Sequence, residues 1–591
     1  MRSLASKRNS LILGSNFKIS YAAVIPERPQ PIMIMSHSFT SLGSLTSSIF
    51  FCFFKLQHSE SNLRRKMDEV KLPNEVKECD IIIIGCGLSG MTAAYEILKL
   101  EPSIKLFLLE AKDRIGGRTL TNEINIGGGQ KEKFDLGGQW VASSQPDILE
   151  MLEELNIKTY PQFINGTKIM QVGHGNVIRT YKSDIPSLGS YWGVIELQLF
   201  IWKAEKLAKQ ISIEDPYLWD KAQEYDAMTM ETFVRNNARS QSVRDTIQAA
   251  CRSVIGADLD RVSALFFLAY ANSAGGIMKL LMATENGAQE LRVKGGTQQI
   301  SEILADRVGR ENVQLNQPVS AIYQDQTEFV TVHTLTGKIF RARHVIASIP
   351  PNCITRIQFS PPLSEDRKLL MDNMPVGHLT KFIITYDKTF WRENGFSGEI
   401  VSNGGGPLLT CSTGPISVVY DATTDKNVPA LVGFIAGRPG VEWHRQTAEE
   451  RRSSILGCLS EFFGSWALQP TSFTEKVWAD EEYNGGCPVC FGVPGVMFTF
   501  SALRRPHGRI HWCGTETSTH WAGYLNGAVQ SGRRAACEVM KLNGKNVTQL
   551  EKLVSRKPSA DVDPPYSFPS LLTPIVVFLA VLAAFFSVYF F

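Results

Sequence analysis

Gly85, Gly87 and Gly90 close a run of four isoleucines, Ile81 to Ile84, and an acid, Glu110, stands 20 residues beyond the last glycine. Residue types in that spacing serve the holding of a dinucleotide. Gly85 permits a tight turn, Gly87 lets the backbone approach a pyrophosphate and Gly90 lets the next helix pack close to the strand, with Ser89 inside the same turn. Met91, Ala94, Tyr95 and Leu98 then recur at helical spacing, so the positive end of a helix dipole faces the phosphates. A second apolar run, Leu106 to Leu109, delivers Glu110, placed to accept from a ribose hydroxyl. A glycine turn alone is a common structural feature, but strand, turn, helix, second strand and acid in this order favour the dinucleotide.

Beyond the acid, Arg114, Gly116, Gly117, Arg118 and Thr119 extend the clamp, and the stretch FDLGGQW from Phe134 to Trp140 adds another glycine pair. These extensions point to FAD rather than NAD, with Arg118, Gly138 and Gln139 among its contacts. Lys381 opens an apolar strand that runs to Tyr386, where a solvated end is the ordinary reading. Cys487 follows Gly485 and Gly486. A thiolate on such a glycine-loosened loop can reach a ligand, whereas an average cysteine is buried and inert. Trp478 alone would read as packing. Cys487 and Cys490 form the sole CxxC, and with no second pair or His cluster nearby no metal is expected.

The elements that must position these residues are spread along the chain. At 591 residues it exceeds one hydrophobic core, so two or more lobes are expected. Helical patterns dominate from about 145 to 285, including Asp147 to Leu155 and Ser190 to Gln210, which reads as a helical, substrate-facing lobe. Short strands follow at Val313 to Gln314, Ser320 to Tyr323, Val330 to Thr334 and His344 to Ile349. Arg509 to Cys513 reads as a strand and Gly514 to Gly523 as a loop, before the apolar stripe Leu525, Ala528, Val529, Ala535, Ala536 and Val539 of a long helix. The fold class is therefore α/β: a Rossmann-like FAD-binding lobe built from 79–150, 286–359 and 476–545, and a mixed-sheet and helical substrate lobe built from 151–285 and 360–475. An extension (1–78), a linker (546–570) and a C-terminal transmembrane helix (571–591) complete the chain.

Composition narrows the partners. A net charge of +3 provides no basic field for nucleic acid, which is excluded as a partner. Scattered cysteines favour a reducing compartment. Residues 1 to about 66 are Ser-rich, with nine Lys or Arg and only Glu27 and Glu60 as acids. They read either as a transit peptide or as an optional extension ahead of Met67, disordered in both cases. Leu571 to Phe591 is 21 residues without a charge, long and apolar enough to span a bilayer.

VSALFFLAY (Val262 to Tyr270) followed by Gly275 and Gly276, then RVKGGTQQIS, PVGHLTKFIITYDKTFWRE, KVWADEEYNGGC and GTETSTHWAGYLNGAV, together with the clamp, resemble in order the flavin-containing monoamine oxidase family of the flavin amine oxidase superfamily. The likeness runs from Cys79 to about Met540 and into the tail. It implies oxidative deamination of a monoamine by molecular oxygen, with a hydride equivalent passing to flavin N5, the imine hydrolysing to an aldehyde, and hydrogen peroxide as the second product. It further implies that Cys487 carries FAD as an 8α-thioether and that Lys381 sits, through a water, beside flavin N5, where a cation favours oxygen activation. Trp478 would pack near the flavin, and Tyr524 would form one wall of an aromatic cage for the amine. Val319, Gly514, Glu516 and Leu525, with Tyr524, are expected cofactor contacts.

Two positions depart from the family pattern. Pro488 stands where the vertebrate enzymes have the second cage tyrosine, and Ser273 stands where they have a substrate-site glutamine. One π face is then expected to flank the amine, unless another aromatic such as Phe491 supplies the second. The alternatives are an L-amino-acid or polyamine oxidase of the same superfamily, or a non-catalytic membrane-tethered flavoprotein, against which Lys381, Cys487 and Tyr524 together argue. By resemblance the anchor lies in the mitochondrial outer membrane with the catalytic lobes facing the cytosol, endoplasmic reticulum being the alternative. A homodimer is left open.

Overall fold

The computed structural model describes residues 76–556 apart from 173–176, 183–185, 187, 325–327 and 404–414. The N-terminal extension up to residue 75 and the Leu571 to Phe591 stretch lie outside the described residues. Among the described residues, no helix is long and apolar enough to cross a membrane.

Ile81–Ile84 are buried and form the middle of a five-stranded sheet. Its order is Val313–Gln314, Leu106–Leu109, Ile81–Ile84, His344–Ala347 and Ile510–Trp512, all parallel. A parallel sheet is covered on both faces, which explains why its strands read as unbroken apolar runs rather than alternating ones. The strands come from three distant parts of the chain. Helices Leu88–Leu100 and Leu525–Leu542 pack on this sheet, bringing Met91 and Ile97 into one core with Val529, Ala535 and Val539. They touch closely because Gly532 has no side chain: a Cβ there would lie 2.4 Å from the Ser89 carbonyl oxygen. Beside that contact the buried Arg533 donates to Glu96 at 3.2 Å, Asp147 at 2.8 Å and Glu150 at 3.2 Å, tying both helices to a third, Pro146–Glu154.

The second large element is a seven-stranded sheet in the order Ser472–Val477, Leu379–Thr385, Ala430–Ala436, Val418–Asp421, Phe396–Ser402, Thr167–Gln171 and Ile178–Tyr181. It is antiparallel except where Phe396–Ser402 runs parallel to Thr167–Gln171. The region from 145 to 285 is therefore not helical throughout, since it lends two strands to this sheet. Their five- and four-residue lengths are too short for a clear period-2 signal beside the long helix Tyr191–Ala208.

Smaller differences are local. The expected strand at His344 ends at Ala347, the strand Ile339–Ala342 had no expectation, and the loop after Gly514 contains a 3₁₀ turn at Thr515–Thr517. The strand holding Lys381 starts at Leu379, so the lysine is its third residue and not its end.

Candidate active site

One cavity of about 570 Å³ runs from the glycine clamp to the face of the seven-stranded sheet. At the clamp end it is lined by Gly85, Gly87, Ser89, Glu110, Arg118, Gly138, Gln139 and Val319, and at the other by Lys381, Trp478, Cys487, Gly514, Tyr524 and Leu525. Of the expected cofactor contacts, Gly90 and Glu516 are not in this lining. Gly90 packs instead, because a Cβ there would lie 2.1 Å from the Gly85 carbonyl oxygen. The Glu516 carboxylate is fully buried and holds the Arg118 guanidinium.

The clamp fits a dinucleotide at each point that the chain shows. A Cβ on Gly87 would find nothing nearer than Gly117 Cα at 4.0 Å, so the protein leaves the approach to this backbone open. Helix Leu88–Leu100 begins at that glycine, aiming its unpaired N–H groups into the cavity. Glu110 accepts from the Cys86 and Lys112 amides at 2.7 and 3.0 Å; burial pushes its carboxyl up while these two donors pull it down. Gln139 Nε2 is a buried donor with no partner among the described residues, and its residue lines the same cavity. FAD would be held by these groups.

Arg118 joins the clamp to the reactive end. Its guanidinium donates to both Glu516 oxygens at 2.6 and 2.9 Å and to the Pro488 carbonyl at 2.8 Å. Burial opposes both charges, yet the pairing prevails, raising the arginine above its ordinary value and lowering the acid. Glu516 also accepts from the Cys490 amide at 3.2 Å.

Lys381 is 1% exposed. Its Nζ donates to the Gly137 carbonyl at 2.9 Å and to Gln139 Oε1. Burial pushes it down to about 7, with the nearby Asp135 carboxylate pulling the other way. Trp478 is fixed by its indole N–H, which donates to the Leu136 carbonyl at 2.9 Å. Burial pushes the Cys487 thiol up to about 12, against the pull of Arg118 and Lys381. Cys490 does not line the main cavity; its thiol donates to Asn352 Oδ1 at 3.3 Å.

The aromatic surroundings differ from expectation. Tyr524 packs against Trp521 at 5.1 Å and Tyr270 at 6.3 Å between ring centroids. Phe491 is buried and does not line the main cavity, so it is not a second wall. Ser273 is also turned away: its hydroxyl donates to the Tyr270 carbonyl at 2.7 Å and accepts from the Ala522 amide at 3.3 Å. Trp140, Tyr270, Tyr420 and Phe434 line the cavity without having been singled out. For Trp140 the FDLGGQW stretch was a usable signal. Tyr420 and Phe434 reach the cavity through strand register, which no local pattern reveals.

Two tests follow from this geometry. Gly87→Ala is expected to leave unfolding temperature unchanged and to lower flavin content, whereas Gly90→Ala destabilises the fold by about 1–3 kcal/mol through overpacking; thermal unfolding and flavin absorbance on the same preparations separate the two. Lys381, charged in the unfolded chain below about 10.5 and in the fold only below about 7, stabilises least at low pH. Its contribution is complete above about pH 10.5 and is lost as pH falls towards 7, at a slope of up to about 1.4 kcal/mol per pH unit. Lys381→Met should flatten the dependence of unfolding temperature on pH across that window. Parallel curves for both proteins would show that Lys381 is charged in the fold.

The chain matches the profile of the flavin containing amine oxidoreductases over residues 88–540. It is 36% identical over 462 residues to the probable flavin-containing monoamine oxidase A of Dictyostelium discoideum, an alignment covering 78% of this chain and 97% of that one. It is 33% identical over 492 residues to the human flavin-containing amine oxidase B, covering 82% and 90%. Among solved structures, cyclohexylamine oxidase from Brevibacterium oxydans superposes with a TM-score of 0.73 at 30% identity, over 79% of this chain and 100% of that one. Putrescine oxidase superposes with 0.72 at 28% identity, again over 79% and 100%. The clamp, the cavity leading from it to a buried lysine and an aromatic chamber, and these matches agree: the chain belongs to the flavin-containing amine oxidase family.

Proposed function

We propose that this chain oxidises primary monoamines to aldehydes with release of ammonia and hydrogen peroxide, using FAD held in the glycine clamp. The observation that carries the reading is the continuity of one cavity from Glu110 to Lys381, Cys487 and Tyr524. FAD, when bound, supplies a two-electron acceptor that oxygen regenerates. The chain supplies the surroundings. Apolar and aromatic walls exclude water and disfavour a charged guest, so the amine is taken as its free base. Tyr524 orients it by its ring face. Lys381, balanced near neutrality and held at Nζ by Gly137 and Gln139, can hold or release a proton where negative charge develops on oxygen.

Two related readings fit less well. A diamine would need an unpaired acid for its second ammonium. Glu399 does line the cavity, but Lys168 sits 3.3 Å from it and the Tyr181 hydroxyl donates to it at 3.2 Å. An amino acid would need a free arginine for its carboxylate; of the two arginines in the cavity lining, Arg118 is committed to Glu516 and Arg356 donates to the Glu482 carbonyl. Peroxide release across a panel of monoamines, diamines and amino acids tests the assignment, which fails if monoamines give none.

Two finer proposals accompany this one. Cys487 carries FAD as a thioether: it alone of the CxxC pair lines the cavity, and Arg118 and Lys381 both favour loss of its proton. Acid-precipitated protein should stay yellow, Cys487→Ala should release FAD, and Cys490→Ala should not; release from the second variant alone would reassign the bond. Leu571 to Phe591 anchors the enzyme in a membrane, taken as the mitochondrial outer one with the lobes in the cytosol. Its deletion should move active enzyme into the soluble fraction, and activity that stays with membranes would refute the anchor.

A further inference from the structure

One short segment of the clamp, Asp135 to Gln139, holds the lysine at the reactive end of the cavity. Lys381 Nζ donates to the Gly137 carbonyl at 2.9 Å and to Gln139 Oε1. Those two bonds use both N–H groups of a free amine. One position of Nζ is left over, a lone pair when the amine is neutral and a third N–H when it is charged. Gln139 is itself 3% exposed and lines the cavity, and its Nε2 has no partner among the described residues. The amide nitrogen is joined through one carbon to the oxygen that holds Nζ, so the two sets of donors stand side by side.

The segment that presents Gln139 is fixed along its length. A Cβ on Gly137 would lie 2.3 Å from the Arg118 carbonyl oxygen, so this backbone is pressed onto the clamp. The Leu136 carbonyl accepts from the Trp478 indole at 2.9 Å and the Gly138 carbonyl from Thr297 Oγ1 at 2.6 Å. Asp135 is buried, and its Oδ1 accepts from Thr121 Oγ1 at 2.6 Å and from the Thr297 amide at 2.9 Å. Of the charged and titratable groups that face Lys381, Asp135 and Cys487 favour its proton and Arg292 opposes it. Arg292 donates to the Thr423 carbonyl at 3.1 Å, and Lys476, opposite Lys381 on the next strand, is paired with Glu481. Gln139 is the only side chain that bonds Nζ among the described residues.

We propose that Gln139 is the positioning residue for Lys381: its carbonyl directs the lysine amine, and its amide N–H groups stand beside Nζ as donors that do not titrate. This rests on the amine-oxidase reading above, in which Lys381 meets the negative charge that develops on oxygen. The pair offers that oxygen one constant donor and one that comes and goes with a proton. The carbonyl also governs when the proton goes. A hydrogen bond from a charged donor is about twice as strong as one from a neutral donor, so Gln139 Oε1 favours the ammonium form against the burial that lowers Lys381 to about 7. Without that carbonyl the lysine loses its proton at lower pH, and with a carboxylate in its place at higher pH.

The test compares full-length holoenzyme as wild type, Gln139→Leu and Gln139→Glu by two readouts. The first is unfolding temperature against pH. In wild type the penalty from Lys381 grows as pH falls from about 10.5 and stops growing at about 7. That end point is expected about one pH unit lower in Gln139→Leu and about one unit higher in Gln139→Glu, and adding Lys381→Met to either variant removes the displacement. The second readout is the rate at which oxygen returns the colour of amine-bleached flavin. Its fall with rising pH is expected to move the same way as the end point in each variant. A merely structural Gln139 slows this rate in both variants and moves neither curve along the pH axis. If the leucine variant does not accumulate, Gln139→Met carries the same expectation. A curve or an end point that stays in place in both variants, or moves in one direction in both, overturns the proposal. Wild type that releases no peroxide from any monoamine refutes the functional reading itself, while the unfolding curves still test the Gln139 contact, which keeps the two failures apart.

Discussion

The site depends on the pairing of Arg118 with Glu516. Three segments far apart in sequence meet there: the end of the clamp, the loop carrying Cys487 and Pro488, and the turn after Gly514. Glu516 is fully buried and Arg118 half-buried at the cavity wall, so the carboxylate is acceptable there only because the arginine is present. Removing one member of such a pair typically costs about 3–5 kcal/mol, because the remaining charge is left buried and alone. The third arginine bond, to the Pro488 carbonyl, gives the charge pair a positioning role, since it fixes the backbone directly after Cys487. A second tie nearby has the same form: Glu481 accepts from Lys112 and Lys476, joining the clamp to the stretch between Trp478 and Cys487.

Around that fixed junction the two large sheets divide the work. The parallel sheet is apolar on both faces and presents its loops and a helix N-terminus to the cofactor. The seven-stranded sheet presents side chains, because in an antiparallel ladder every second residue of each strand shares a face. Lys381 shows what that arrangement permits. A lysine within a strand whose seven residues are all buried would be costly on packing grounds. It is tolerated because its row opens on the cavity and because the Gly137 carbonyl and Gln139 Oε1 accept from it.

The clamp was legible in the sequence because its parts are local: a strand, a glycine turn, a helix and an acid within 30 residues, from Ile81 to Glu110, each with a distinct pattern. Lys381, Trp478, Cys487 and Tyr524 became legible by resemblance, not by pattern. The directions in which Ser273 and Glu516 turn were illegible for the same reason that Tyr420 was overlooked. Whether a side chain faces a cavity depends on rotation about a helix or register in a sheet, and both are set by contacts with residues hundreds of positions away, as the Tyr420 neighbour Trp140 illustrates. The raised proton affinity of Cys487 was not legible because desolvation is a property of the whole surrounding volume, whereas a glycine loop reports only on freedom of movement.

That desolvation also explains how the reactive end treats a substrate. Burial lowers Lys381, so that at neutral pH its amine is balanced between its two forms, and Cys487 carries no charge either as a buried thiol or as a thioether. Arg118 and Glu516 are charged but compensate each other at 2.6 Å. Lys168 and Glu399, which also line the cavity, compensate each other in the same way at 3.3 Å. The chamber is therefore close to electrically neutral. In an apolar enclosure an uncompensated charge would either repel a guest or trap it, since the interaction is screened far less than in water. A neutral amine meets neither obstacle, and the field it encounters is mainly that of ring faces and of the helix end at Tyr524. Lys381 is then the one group whose charge can change at small cost, because its affinity for a proton lies near the ambient value. Negative charge that develops nearby shifts that balance towards the protonated Nζ, which couples the electrostatics of the chamber to the reaction as well as to substrate binding.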